Sequence, residues 1–355
     1  MGTAHAQRLE NWFGKHWVEC LSVAMKDFRY PVPIMGPVDG RIVVYDGDFH
    51  GRINGGRAAS LKDYLCNQHG TGFSSLQNLR DKAARREEHM FLKDLAVAAP
   101  AIGATQSLFG VGTWPTAASP SSSPPGGSVH TNLTSGALPI RDDKTAETAH
   151  LKEMWVWQQR PGDSAIDFSA IMLYDSLFGV SINHATTSNS VTGVPTRYQT
   201  AALAPGNFLS GRVTTVLGAT AHNITVTYVD QDGNTAEAGT AQAIRVSSAV
   251  NTCPFTQPKW WYYLNTVDNG LRNITNIALS AASTGIVDWF IGHPIGICPV
   301  GTAGADSGTF GIVDGVNSRF LMDRVFNGAA LATMYMYALT TGAPDPAGKI
   351  IIARG

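Results

Sequence analysis

Charged side chains make up only 15% of this 355-residue chain, against about 25% in ordinary soluble proteins. Lys and Arg number 26 and Asp and Glu 27, so the formal net charge is −1. A balance so near zero excludes the electrostatic bias that gathers a chain onto nucleic acid or an anionic membrane. Long apolar runs are missing too. The longest, 286–291 and 334–339, fall far short of the ~20 residues that span a bilayer. The start, Met1-Gly2-Thr3-Ala4-His5-Ala6, has no apolar secretory core and no Ser or Thr at position 6 for myristoylation, so synthesis in a cytoplasm is expected.

Cysteine is scarce and scattered: Cys20, Cys66, Cys253 and Cys298 form no Cys-x-x-Cys pair. That spacing excludes a zinc knuckle and a dense disulfide framework, and the expectation is buried, reduced thiols. Catalytic signatures are equally absent. No phosphate loop, dinucleotide fingerprint, nucleophile elbow or His-Glu-x-x-His helix occurs, and Gly110-Val111-Gly112 lacks the glycine and the strand-to-helix setting of a nucleotide site. Asp230, Asp232 and Asn234 begin like a calcium loop, but Thr235 stands where that loop needs glycine, and a hairpin turn is the better reading. The histidines, among them His184, His222 and His293, never fall at the spacing that puts two ligands on one helical face. A chain without catalytic, metal or cofactor residues is expected. Three Asn-x-Thr triplets, at Asn132, Asn223 and Asn273, have no secretory context to give them meaning.

What fills the gap left by charge is Gly, Ser, Thr and Asn. A surface of small polar residues suits contact with neighbouring subunits, because charge is depleted at interface cores. Four regions are expected. Residues 1–57 form an arm containing β structure, with Arg41-Ile42-Val43-Val44-Tyr45 as a strand. Residues 58–99 form a small helical segment: Ser60-Leu61-Lys62-Asp63 reads as a capping box, and a second helix from Ser74 to about Ala96 is predicted from Leu76, Leu79, Ala83, Met90 and Leu95, with a solvated charged face opposite. Residues 100–150 include Pro120-Ser121-Ser122-Ser123-Pro124-Pro125-Gly126-Gly127, which cannot hold a regular element, and read as an extended linker or arm that a neighbour would order.

From 151 to 355 an antiparallel β-sandwich is predicted, jelly-roll or immunoglobulin-like. Its clearest strand is 222–229, where Ile224, Val226 and Tyr228 point one way and the threonines the other, running into the turn Asp230-Gln231-Asp232-Gly233-Asn234 with a return near Thr235. Further strands are predicted at 154–158, 166–173, 211–217, 273–279, 286–291 and 331–339. Trp260, Trp261, Tyr262 and Tyr263 are four consecutive rings, which in a strand would present two to each face, one pair for the core and the other for a subunit or a sugar. Asp167, Asp175, Asp288 and Asp314 are the carboxylates that a sugar- or wall-cleaving hydrolase could bring together.

Two stretches give the chain a family resemblance: the Thr- and Ala-rich hairpin of 218–246, and Asp268-Asn269-Gly270-Leu271-Arg272-Asn273-Ile274-Thr275-Asn276-Ile277 continuing through Gly285 to Ile291 and Pro294. Over roughly 150–300 the sequence resembles structural proteins of tailed bacteriophage virions. The resemblance implies a non-enzymatic capsid-associated, decoration, or tail and baseplate component, made in the host cytoplasm and placed in the virion. Its implied partners are copies of itself and other virion proteins, such as major capsid or tail proteins. A receptor- or glycan-binding virion protein using Trp260, Trp261, Tyr262 or Tyr263, and a polysaccharide hydrolase, are the alternative functions.

Overall fold

A computed structural model describes residues 34–38, 41–44, 50–52, 58–60, 87–93, 105–144, 147–159, 167–255, 261–302, 309–314, 324–337 and 345–354. Two hairpins come first, β1 (Ile34–Val38) with β2 (Arg41–Val44) and β3 (His50–Arg52) with β4 (Ala58–Ser60). Next are β5 (Glu87–Leu92), β6 (Thr105–Ser107), β7 (Ser128–Val129), β8 (Ala149–Gln159), β9 (Asp167–Asn183) and β10 (Ser188–Ser190). Then follow β11 (Phe208–Thr215), β12 (Asn223–Asp230), β13 (Glu237–Ala238), β14 (Gln242–Ala243) and β15 (Leu271–Leu279). The last are β16 (Ile286–Thr302), β17 (Thr309–Asp314), β18 (Arg324–Val325), β19 (Leu331–Tyr337) and β20 (Asp345–Arg354).

The fold is an antiparallel β-sandwich around a central sheet ordered β11-β16-β9-β19-β6, with β7 also on β9. Its spine is the pair β9 and β16, each 17 residues long. Each of these strands contains one bulge: Leu177 is skipped between Ser176 and Phe178, and Ile295 between Pro294 and Gly296. A bulge shifts the side-chain period by one. Ile171 and Leu173 before it, and Phe178, Val180 and Ile182 after it, therefore face the same side of the sheet.

That shared face is covered by two smaller sheets, one on each half. The sheet β10-β15-β12-β13 packs Ile224, Val226, Tyr228, Ile274 and Ile277 on Val180, Ile182, Val287 and Trp289. The sheet β17-β8-β20-β5 packs Phe91, Met154, Val156, Ile350 and Ile352 on Ile171, Leu173 and Cys298. Burying side chains of this size stabilises by about 1.5–3 kcal/mol each, which is why the long strands hold their register despite the bulges.

The opposite face of the central sheet is covered by the Pro- and Ser-rich segment. It runs along this chain's own strands, pairing backbone to backbone with the β9 edge beyond β19 and with the residues that follow β10. Ser181 N donates to Ser122 O at 2.9 Å, His130 N to Leu177 O at 3.1 Å, and Thr192 N to Pro125 O at 2.7 Å. Phe109 and Ala137 join Tyr174, Phe290 and Met334 in a core of their own. Gly193 is required by this contact, since a Cβ there would lie 2.0 Å from Gly126 O.

The helical segment needs correction. Glu87–Leu92 is strand β5, and among the described residues the helical geometry is limited to a 3₁₀ turn at Leu108–Gly110. β20 offers an open edge, and Phe91 fills the core beneath it when Glu87, His89 and Phe91 face inward. Tertiary pairing outweighs the weak helical preference of this stretch. Residues 61–86 and 94–99, where the rest of that helical reading falls, lie outside the described residues.

Candidate binding groove

The aromatic run is the site residue set that the sequence singles out, and the fold places it at a groove on the outer face of the central sheet. Trp260 lies outside the described residues. Trp261, Tyr262 and Tyr263 are not in a strand, which corrects that expectation. The backbone here is held by side chains and by one long-range backbone bond. Tyr262 N donates to Leu209 O at 2.8 Å, while Gln242 accepts from Tyr263 N at 3.0 Å and donates to Trp261 O at 3.2 Å. The single amide of Gln242 thus replaces the two hydrogen bonds that a neighbouring strand would supply.

The rings nonetheless alternate as they would in a strand. Tyr262 is buried, and its hydroxyl accepts Val226 N at 3.0 Å. Gly239 permits this approach, because a Cβ there would sit 2.3 Å from the Tyr262 ring. Trp261 and Tyr263 point outward, 37% and 44% exposed.

Beyond the rings, residues 264–269 are anchored by Tyr228 at the end of β12. Its hydroxyl accepts Asn265 N at 2.8 Å and donates to Asp268 Oδ2 at 2.5 Å. Burial, and then the Asp268 carboxylate, push the Tyr228 phenol up, so it keeps the proton it donates. Asn269 N donates to Gln231 Oε1 and its carbonyl accepts Gly206 N at 2.8 Å. The result is a loop without regular structure whose backbone is fixed at both ends.

Between this loop and the sheet lies a groove of about 480 Å³. Met172, Phe208, Pro294 and Ile297 form its floor, and Trp261 and Tyr263 stand beside Asn265, Asp268 and Asn269 along it. Phe208 is itself wedged against Trp261 and Tyr174, with ring centroids 6.3 Å and 5.7 Å away, so the floor is rigid.

Asp175 and Asp288, the two of the four carboxylates whose side chains are described, do not converge. Asp175 is fully buried and bound by Arg197 through two 2.8 Å bonds, with Ala330 N as a third partner. Asp288 is bound by Arg212 and Ser119 at 2.8 Å and 2.7 Å. Each is committed to a structural arginine, and the side chains of Asp167 and Asp314 lie outside the described residues. Two histidines that sequence spacing could not connect do meet: His184 Nδ1 and His222 Nε2 are 2.9 Å apart. No cluster of three His, Cys, Asp or Glu able to hold a metal occurs among the described residues. Cys253 and Cys298 are buried, burial pushing the Cys298 thiol up to about 11, while Cys20 and Cys66 lie outside the described residues.

A second surface stands out on the outer face of the β17-β8-β20-β5 sheet. Leu92, Ala347 and Trp157 are in register across three strands, and Met90 aligns with Lys349 and Trp155 in the next row. Met90, Leu92 and Trp157 are 63%, 45% and 37% exposed, with exposed Trp114 bridged to Leu92. Lys349 lies over the Trp155 ring at 4.8 Å.

No family model and no curated protein matches this chain. Among solved structures, the VP2 subviral particle of infectious bursal disease virus aligns at 11% identity over 75% of this chain and 79% of that one, with a TM-score of 0.16. T=1 particles derived from the same virus give 11% identity, 75% and 77% coverage and a TM-score of 0.17. The T13 particle of that virus gives 9% identity, 78% and 85% coverage and a TM-score of 0.16. Likeness at these TM-scores supports no conclusion about this chain.

Proposed function

We propose that this chain is a non-enzymatic structural component of a virion, of the tailed-phage kind that its 218–246 and 268–294 stretches resemble, and that it stabilises the particle through symmetric contacts between subunits. A capsid-associated, decoration or minor head protein is the form proposed, with copies of itself and a major capsid protein as partners. The observation that supports this reading best is the apolar band Met90, Leu92 and Trp157 on a sheet face. Large apolar side chains adjacent on one face mark contact surfaces when they are contiguous, not when they are scattered singly. The low charge of the chain agrees, because a surface destined for burial keeps few groups that need water.

The band makes the reading testable. Purified protein should sediment as a closed symmetric oligomer or bind particles that lack it. Replacing Leu92 and Trp157 together by Asp should weaken that association at least about 30-fold, the ~2 kcal/mol expected for an interface anchor, with an unchanged urea midpoint. A wild-type chain that stays monomeric and never joins particles would overturn the reading.

A further inference from the structure

We propose that the groove between residues 261–269 and the central sheet binds a neutral oligosaccharide. This inference rests on the groove alone and does not depend on the assembly reading. Three features of the groove define the ligand. Trp261 and Tyr263, two residues apart, expose ring surface on one side of a backbone that cannot swing away, because Tyr262 between them is locked into the core. An aromatic face carries partial negative charge, and the C–H faces of a pyranose carry the complementary partial positive charge while remaining apolar. A sugar ring therefore matches these plates as a peptide segment of mixed side chains does not.

The second feature is hydrogen-bonding capacity left over after the loop has been built. Asn265 spends its Oδ1 on Thr266 N, which leaves its amide nitrogen. Asp268 spends Oδ2 on Tyr228, which leaves Oδ1. The Asn269 side chain forms no hydrogen bond among the described residues. One carboxylate oxygen and two amides, side by side, can accept from and donate to vicinal hydroxyls. The third feature is charge: Asp268 is the lone charged side chain among the described residues lining the groove, and no Lys, Arg or His is with it. Sulfated and sialylated chains, which need cations, are thereby disfavoured against neutral ones.

The size agrees. A volume of about 480 Å³ falls within the range of small-molecule sites. The anchoring by Tyr228, Gln242 and Tyr262 means that little ordering remains to be done on binding. Apolar floor, aromatic wall and polar rim are in place before a ligand arrives.

The test uses the full-length chain against immobilised cello-, malto- and chito-oligosaccharides, with a heparin oligosaccharide and a fatty acid as the charged and purely apolar comparisons. Saturable binding of at least one neutral oligosaccharide is expected, with a change in tryptophan fluorescence. Trp261→Ala and Tyr263→Ser should each weaken it at least about tenfold, and Asn269→Ala about threefold. Tyr263 is 44% exposed, and the urea midpoint checks that its variant stays folded even if Trp261→Ala does not. The Leu92 and Trp157 variants should bind sugar as wild type does, which separates this inference from the assembly reading. Binding to none of the neutral sugars, binding to heparin or fatty acid alone, or sugar binding that survives loss of Tyr263 would each overturn the proposal.

Discussion

Acid should loosen this sandwich at its buried histidines. His184 follows β9 of the central sheet and His222 precedes β12 of the covering sheet, so their 2.9 Å contact fastens one layer to the other. His222 Nδ1 is 2.9 Å from Thr220 O, which must accept, so His222 Nε2 takes the proton of His184 Nδ1. His184 Nε2 is then left bare and buried, without a partner among the described residues. Burial, and then the electrostatic influence of His222, lower His184 from its ordinary 6.5 to about 4. A base whose folded value is depressed is fully stabilising above the unfolded value, here pH 6.5, and loses that contribution as pH falls towards about 4. At pH 5 the unfolded chain has taken up a proton that the folded chain refuses, which removes about 2 kcal/mol. His130, its Nδ1 2.8 Å from Ser176 Oγ, is lowered to about 3 by burial and by Arg197 and Arg212, and removes about as much again. Together that is about 4 kcal/mol, against a typical total of about 5–15 kcal/mol. Urea midpoints followed by tryptophan fluorescence at about pH 7.5 and about pH 5 measure the loss. His184→Asn should reduce the pH slope by about one proton, about 1.4 kcal/mol per pH unit, and the difference from wild type cancels the carboxylates. A loss below about 1 kcal/mol between the two pH values, or a slope that His184→Asn leaves unchanged, would refute the reasoning.

Two further outcomes follow from the buried contacts. Arg197→Met should cost about 3–5 kcal/mol, because it strands the fully buried Asp175 carboxylate, whereas adding Asp175→Leu should restore much of that loss; urea denaturation of the two variants compares them. Gly193→Ala should lift the 124–127 turn off β9, since its Cβ would meet the Gly126 carbonyl and the Phe178 ring, and limited proteolysis within 119–127 should accelerate about tenfold as that turn becomes accessible.

The legible parts of the fold are those where period and turn chemistry agree. β12 alternates along its length, and Asp230 at its end fixes the turn, one carboxylate oxygen accepting Asp232 N, Gly233 N and Asn234 N at 2.7–2.9 Å. The return strand β13 starts at Glu237, two residues later than the sequence predicts. The two longest strands are the instructive misreadings. The sequence predicts 166–173 and 286–291, yet β9 runs to Asn183 and β16 to Thr302. Each predicted end falls within about four residues of a bulge, where the alternation resets and a period-two reading loses its phase. Gly292, Pro294 and Gly296 add to the impression of a turn, although Pro294 sits beside the bulge, where a strand tolerates proline. The pairing of His184 with His222 could not be read at all, since 38 positions of chain separate partners that only the stacking of two sheets brings together.

The same bulges account for the groove. On either side of the bulge at Ile295, β16 turns Pro294 and Ile297 to the outer face, level with Tyr174 and Met172 on β9. The Pro- and Ser-rich segment covers that face through Phe109 and Ala137 but leaves Ile297 about half exposed, and residues 261–269 close over the gap from the other side without filling it. What stands there is Trp261 and Tyr263, two partly exposed rings whose backbone is held by Gln242 and Tyr262. A core under pressure only for stability closes such gaps, because close packing leaves few voids larger than a water molecule. A groove held open by the anchors at Tyr228, Gln242 and Tyr262 is what the proposed oligosaccharide site requires.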